Sequence, residues 1–390
     1  MAHMKGGEYI ADFLIREGVP YVFGICGHGN VGLLDALYDR RDELPLISPR
    51  HEQAAGHMAD AYYRVAHRPV ATLTSIGPGS ANMPMALANA FMDSSAILAL
   101  TANAPTQQAG RGAFQELYRH HPADFASMLR PCVKRVYQPQ RAEMLPLMMR
   151  QAHSLTTTGR PGPVAVDIPF NVFQEEAELV HEPSGSGRIS SRLGAAPADV
   201  ATAADLLLEA ERPLIYAGNG VTISEAGDAL TALVDRLQIP VVNIPNGMGT
   251  LDMRHPLALG FIGRNGAYPA NEAARRADVL LCLGARFDDR SASSWLPGYS
   301  WNIPPTRLVQ VDIDETELGR NYLPELAVAA DARTFLEQLL VELDRRDAPD
   351  PGRTAQWRRD IAGWAAEWEA HIRPNFDIER SPLQPEQVVR

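Results

Sequence analysis

Short apolar runs bounded by glycine and proline alternate with helical stretches along most of this chain, in two successive series. That pattern restricts the fold to parallel sheets covered by helices on both faces. In the first series the predicted strands are Tyr21–Ile25, Leu46–Ser48, Val70–Thr74, Ala96–Thr101 and Pro163–Ile168, with helices that include Val31–Arg41, Gln53–Val65, Gly79–Asp93 and Arg141–Thr156. The second series has strands at Pro213–Ala217, Val241–Val242, Val279–Leu283 and Leu308–Asp312 and closes near Leu343. The fold class is therefore α/β, with two doubly wound parallel-sheet domains.

Between the two series, HEPSGSGRISSR is rich in Ser, Gly and Pro and has no apolar period, so residues 181–194 read as a linker between domains at 5–180 and 195–345. Residues 346–390 read as a charged connection, then a helix with Trp357, Trp364 and Trp368, then a tail in which Pro385 sits in the first turn of a further helix. Met1 to Met4 read as a cloning remnant and are given no part in the fold.

The chain has 36 basic and 47 acidic residues and a net charge of -11, with Lys and Arg scattered rather than clustered. Nucleic acid and anionic membranes are therefore excluded as expected partners. Cys26, Cys132 and Cys282 are far apart and form no CxxC pair, which argues against a disulfide framework or a zinc site and for a reducing, cytoplasmic setting. No apolar signal core opens the chain, and no apolar run of about eighteen residues follows.

The stretch RHEQAAGHMADAYYR carries the most chemistry. Glu52 follows a short strand and opens a helix, and Ala54, Ala55 and Gly56 leave room for something bulky near the backbone. A carboxylate favoured by the helix dipole in a first turn explains the same residue equally well. VFGICGHGN, TSIGPGSANMPMALANAF, GAFQE and GRPGPVAVDIPFNV occur around it in one order. Together these segments resemble the pyrimidine-binding domain of thiamine diphosphate enzymes of the acetolactate synthase superfamily. With the second domain, the resemblance runs from Gly7 to about Asp331.

The resemblance implies that Glu52 hydrogen-bonds the aminopyrimidine ring of thiamine diphosphate and stabilises the tautomer whose exocyclic nitrogen takes up the thiazolium proton. An apolar pocket would keep a shareable proton on that carboxyl group. By the same resemblance Gly27, Gly77, Pro78, Gly79 and Asn82 lie against the cofactor, while His28 and Gln115 face the substrate. Other readings stay open: GPGSAN is also a plain strand-to-helix turn with a Ser80 cap, and His28 a polar loop residue capping the next helix. His120 and His121 are similar to the paired histidines of keto acid decarboxylases.

In the second domain, LGFIGRNGAYPANEAARRADVLLCLGARFDDR and VQVDID resemble the central domain of acetolactate synthase. This implies an FAD or ADP site at the carboxyl edge of the sheet with Gly218, Gly220, Arg286, Asp312 and Asp314, or the same scaffold without a nucleotide. In the family, a GDG segment and a later Asn-containing turn hold the diphosphate through Mg2+, and no GDG occurs in these 390 residues. The expectation is a split enzyme: a small subunit carries that domain, the two associate as a dimer of heterodimers, and the cofactor is shared between them. A truncated fragment is the alternative. The implied activity is a carbon–carbon lyase or carboligase (transferase) acting on a 2-keto acid, an acyloin or an acyl-CoA thioester. Alternatives are a trihydroxycyclohexanedione hydrolase-like enzyme, a 2-hydroxyacyl-CoA lyase-like enzyme, or a non-catalytic scaffold paralogue.

Overall fold

The computed structural model describes residues 2–117, 125–181, 185, 191–347, 350, 352–376 and 381–389. His120 and His121 lie outside them. Two compact units divide the chain, Met1–Ser190 and Ser191–Arg390. Among the described residues, no helix is long and apolar enough to cross a membrane.

The first unit contains β1 (Ala2–Lys5), β2 (Val22–Gly24), β3 (Leu46–Ile47), β4 (Val70–Thr74), β5 (Ile97–Asn103), β6 (Val136–Tyr137), β7 (Val164–Pro169) and β8 (Glu176–Leu179). Six of them form a parallel sheet in the order β3-β2-β4-β5-β7-β6. Successive residues of the inner strands point to opposite faces. Leu98, Leu100, Val164 and Val166 join a core with Tyr9, Ile10, Leu14, Leu33 and Met149 on one side. Ile97, Ala99 and Ala165 join Ala55, Ala59, Met83, Leu87 and Leu129 on the other. Burial on both faces is why these strands read as unbroken apolar runs.

Three sequence expectations need correction. Residues 2–5 belong to the fold: β1 pairs antiparallel with β8, Ala2 opposite Leu179, so residues 2–4 are not idle. The expected helix Gly79–Asp93 is two helices, Pro78–Ala81 and Pro84–Met92, because Pro84 has no N–H to continue the ladder. Strand β6 was not expected, and it takes the sheet edge beyond β7. Elsewhere Lys134 fastens the end of the helix Leu145–Thr157, its ammonium donating to the carbonyls of Leu155, Thr158 and Arg160 at 2.7, 2.6 and 2.8 Å. A cation there also complements the helix dipole.

In the second unit β9 (Pro213–Ala217), β10 (Val241–Asn243), β11 (Ala258–Phe261), β12 (Val279–Leu283), β13 (Arg307–Asp312) and β14 (Leu326–Ala329) form a parallel sheet in the order β11-β10-β9-β12-β13-β14. Helices Pro197–Glu209, Gly227–Leu237 and Ala332–Leu343 cover one face. On the other, Trp301, Trp357 and Ile361 pack with Tyr216, Leu280 and Cys282. Trp357 donates its indole N–H to the Pro213 carbonyl at 3.0 Å, so the helix Ala355–Phe376 contributes to this unit's core.

The strand order reverses in the interior of each sheet, and in the first it reverses again at the edge, where β7 lies inside β6. The interior reversal falls between β2 and β4 in the first and between β9 and β12 in the second. Crevices at the carboxyl ends of such strand pairs are where doubly wound sheets bind ligands.

Candidate functional site

At the carboxyl end of β2, the buried Asn30 ties the GHGN loop into a closed turn. The Gly27 N–H donates to Asn30 Oδ1 at 3.0 Å, and Asn30 Nδ2 donates to the Ile25 carbonyl at 3.1 Å. The loop leans on the end of β4, where Ser75 Oγ accepts from the Gly29 N–H at 3.2 Å. Contact at Gly27 is so close that an added Cβ would fall 2.4 Å from the Ser75 side chain.

After β4 the backbone turns at Gly77 with φ +60, a conformation that favours glycine. A Cβ on Gly77 would also lie 2.1 Å from the Gln115 carbonyl oxygen, so the loop at 110–116 rests on this turn. Glu116 holds that loop: its carboxylate accepts from the N–H of Gly112 at 2.8 Å, from that of Ala113 at 3.2 Å, and from that of Gly110. His28 is exposed, with its ring 5.1 Å from that of Phe114. Pro78 is exposed too.

Ser80 does not cap its helix, a second correction to the reading of GPGSAN. Gly77 takes the capping position without a side-chain bond, and Ser80 Oγ instead donates back to the Ser75 carbonyl at 2.6 Å and pairs with Thr74 Oγ1 at 2.8 Å. His28 does not cap the helix Val31–Asp39 either: Asn30 takes that position, without a side-chain cap bond.

Glu52 opens the helix Glu52–Ala66, whose cap is His51, with Nδ1 accepting from the Gln53 N–H at 3.2 Å. Its half-buried carboxyl group meets the other loop: Asn82 Nδ2 donates to Glu52 Oε2 at 2.9 Å. Oε1 faces Gly79, where a Cβ would stand 3.1 Å away. Below the carboxyl group, the buried Asp60 locks this helix to Pro84–Met92. It accepts from both Arg64 Nε and Nη2 at 3.0 Å, from Asn89 Nδ2 at 2.8 Å and from Ser95 Oγ at 2.5 Å. Sequence reasoning missed Asn30, Asp60, Ser75 and Glu116. All four lie inside the segments singled out above, Asn30 as the last residue of GHGN and Glu116 as the last of GAFQE, but no local pattern distinguishes them there.

In the second unit, Gly218 and Gly220 meet the end of β12 rather than open space. The Gly218 N–H donates to the Leu283 carbonyl at 2.9 Å and the Gly220 N–H to that of Gly284 at 3.1 Å. An added Cβ on Gly218 would be 2.1 Å from the Gly284 oxygen. Arg286 follows at the strand-order reversal; Asn321 Nδ2 donates to its carbonyl at 3.2 Å, and among the described residues its half-buried guanidinium has no hydrogen-bond or ion-pair partner. Asp312 Oδ1 accepts from the Asp314 N–H at 2.9 Å. Asp314 in turn caps Glu315–Glu317, accepting from the Thr316 N–H at 3.1 Å and its hydroxyl at 2.6 Å. Burial, with the Asp312 carboxylate adding to it, pushes the Cys282 thiol well above its usual range, which marks a core residue rather than a nucleophile.

Residues 4–124 match the family described as the N-terminal TPP binding domain of thiamine pyrophosphate enzymes, and residues 200–339 match the central domain of the same enzymes. The chain belongs to the thiamine pyrophosphate enzymes of the acetolactate synthase superfamily. Among its relatives, a probable acetolactate synthase large subunit of Methanocaldococcus jannaschii is 34% identical over 392 residues, which cover 99% of this chain and 63% of the relative. Acetolactate synthase isozyme 3 large subunit of Escherichia coli (strain K12) is 30% identical over 393 residues, 100% of this chain and 66% of the relative. The mitochondrial acetolactate synthase catalytic subunit of Aspergillus candidus is 33% identical over 379 residues, 93% of this chain and 53% of that one. The chain thus spans between about half and two thirds of these relatives' lengths.

For a thiamine pyrophosphate enzyme the first unit has a coherent layout. Gly27, Gly77, Pro78, Gly79 and Asn82 all follow β2 or β4, the strands flanking the interior reversal, and Glu52 reaches them from beyond β3.

Proposed function

We propose that this chain supplies the pyrimidine side of a thiamine diphosphate site in an acetolactate synthase-like enzyme that makes or breaks carbon–carbon bonds beside a carbonyl. The observation that carries the reading is the carboxyl group of Glu52. One oxygen is bonded to Asn82, and the other faces Gly79 with no donor among the described residues. A ring nitrogen needs such an oxygen, and the missing side chain at Gly79 leaves room beside it, so these residues fit the group.

When bound, thiamine diphosphate supplies the carbon nucleophile that the reaction needs. Glu52 holds and returns a proton at Oε1, and Gly27, Gly77 and Pro78 present backbone at close range. His28 and Gln115, at the ends of the two loops, face the substrate: a 2-keto acid, an acyloin or an acyl-CoA thioester. The Mg2+-binding residues that hold the diphosphate come from a partner, a small subunit in our reading, in a dimer of heterodimers within a reducing cytoplasm. Isothermal calorimetry with thiamine diphosphate and Mg2+ checks the division of labour. The chain alone should show only weak binding, because its sequence has no GDG segment to hold the diphosphate through a metal, and the partner should restore tight binding. Sub-micromolar, metal-dependent binding to the isolated chain would contradict the division.

The same reading extends to the second unit, where the Arg286 guanidinium, without a hydrogen-bond or ion-pair partner among the described residues, stands at the strand-order reversal and suits the phosphates of FAD or ADP. Gly218, Gly220, Asp312 and Asp314 would border that nucleotide with their loops. Arg286→Ala should lower nucleotide occupancy and melting temperature together, since a ligand bound only to the native state stabilises it by mass action. Nucleotide released on denaturation, measured beside the melting curve, reads both. Equal occupancy in wild type and variant would remove Arg286 from the site.

A further inference from the structure

The two oxygens of Glu52 are chemically distinct here, and one residue makes them so. Asn82 Nδ2 donates to Oε2 at 2.9 Å, while Oε1 points at the Gly79 backbone. An amide NH2 group has donors and no acceptor. It therefore keeps Oε2 as an acceptor, and a proton on the neutral acid is left to Oε1. Without that bond the terminal torsion of a glutamate is broad and roughly two-fold, so either oxygen would face Gly79.

Asn82 is itself held firmly. It ends the short helix Pro78–Ala81, its N–H donating to the Gly79 carbonyl at 3.3 Å, and Ser80 anchors that helix to the end of β4 through Ser75 and Thr74. The bond to Glu52 thus links the loop after β4 to the segment after β3, thirty residues apart in sequence.

We infer that Asn82 is a positioning residue, which fixes the Glu52 carboxyl group so that Oε1 alone exchanges a proton with the bound aminopyrimidine. This rests on the assignment of thiamine diphosphate to Glu52 proposed above.

Crystal structures of the full chain without cofactor, as wild type and as Asn82→Ala, give the first reading. The carboxyl group of Glu52 should leave its position or occupy several rotamers in the variant; an unchanged single rotamer overturns the inference. In the assembled enzyme, exchange of the cofactor's C2 proton should slow about tenfold in Asn82→Ala, the size expected for one hydrogen bond to a charged group. The cofactor dissociation constant should stay within about twofold, since only the proton path is altered. Asn82→Asp keeps the shape but loses the donor, so it should be at least as slow as Asn82→Ala; near-wild-type exchange would show that Asn82 merely fills space. Glu52→Gln separates the two claims. If it abolishes exchange while both Asn82 variants exchange normally, the positioning role fails alone, and if it leaves exchange intact, the cofactor assignment fails with it.

Discussion

Replacing Glu52 with Gln should slow exchange of the C2 proton of bound thiamine diphosphate about a hundredfold or more, the typical loss when an acid–base group is removed. Gln has nearly the same volume and its amide oxygen still accepts from Asn82, so the loops around β2 and β4 keep their contacts. What changes is the second position: a permanent N–H2 donor replaces an oxygen that can take and release a proton. Stability should move little. Glu52 is in the first turn of its helix, and losing a negative charge there costs about 0.3–1 kcal/mol. Exchange followed by NMR after acid quench, beside a melting curve, measures both. Exchange at the wild-type rate in a folded Glu52→Gln variant would remove the assignment.

Asp60→Ala should destabilise the first unit by about 2–4 kcal/mol. Four donor groups converge on this buried carboxylate, from Arg64, Asn89 and Ser95. Arg64 is partly exposed and keeps Asp93, so its loss is small. Ser95 is buried and Asn89 half-buried; both lose their acceptor, at about 1–3 kcal/mol for each donor left unsatisfied out of reach of water. For a unit of this size the expected fall in melting temperature is roughly 4–16 °C. Calorimetric unfolding decides it, and a melting temperature within a degree of wild type would show that the network contributes nothing net. The functional effect follows from geometry, because Asp60 joins the helix that carries Glu52 to the one that follows Asn82.

The sequence already showed those strands whose two faces are covered. Val70–Thr74, Pro213–Ala217 and Val279–Leu283 match the structure residue for residue because each is buried along its whole length. Edge strands β6, β11 and β14 escaped notice. The first has two residues, and the other two have four each and are only partly buried, so their apolar runs are too short to stand out. The pairing of β1 with β8 joins residues more than 170 positions apart, which no local pattern encodes. Within the candidate site, the position of Glu52 at the start of a helix after a short strand was legible in RHEQAAGHMADAYYR. Its bond to Asn82 was not, since a contact across thirty residues depends on how two loops meet. Asp60 and Glu116 look like ordinary charged residues in sequence, and only their convergent donors distinguish them.

A crystal structure of the assembled enzyme with thiamine diphosphate and Mg2+ tests the central claim most directly, through the distance from Glu52 Oε1 to the aminopyrimidine ring. The account predicts a hydrogen bond of about 2.6–3.2 Å from that oxygen to a ring nitrogen, with Asn82 still bonded to Oε2. An aminopyrimidine ring that lies beyond hydrogen-bonding reach of Glu52, or one that bonds a different carboxyl group, would contradict it.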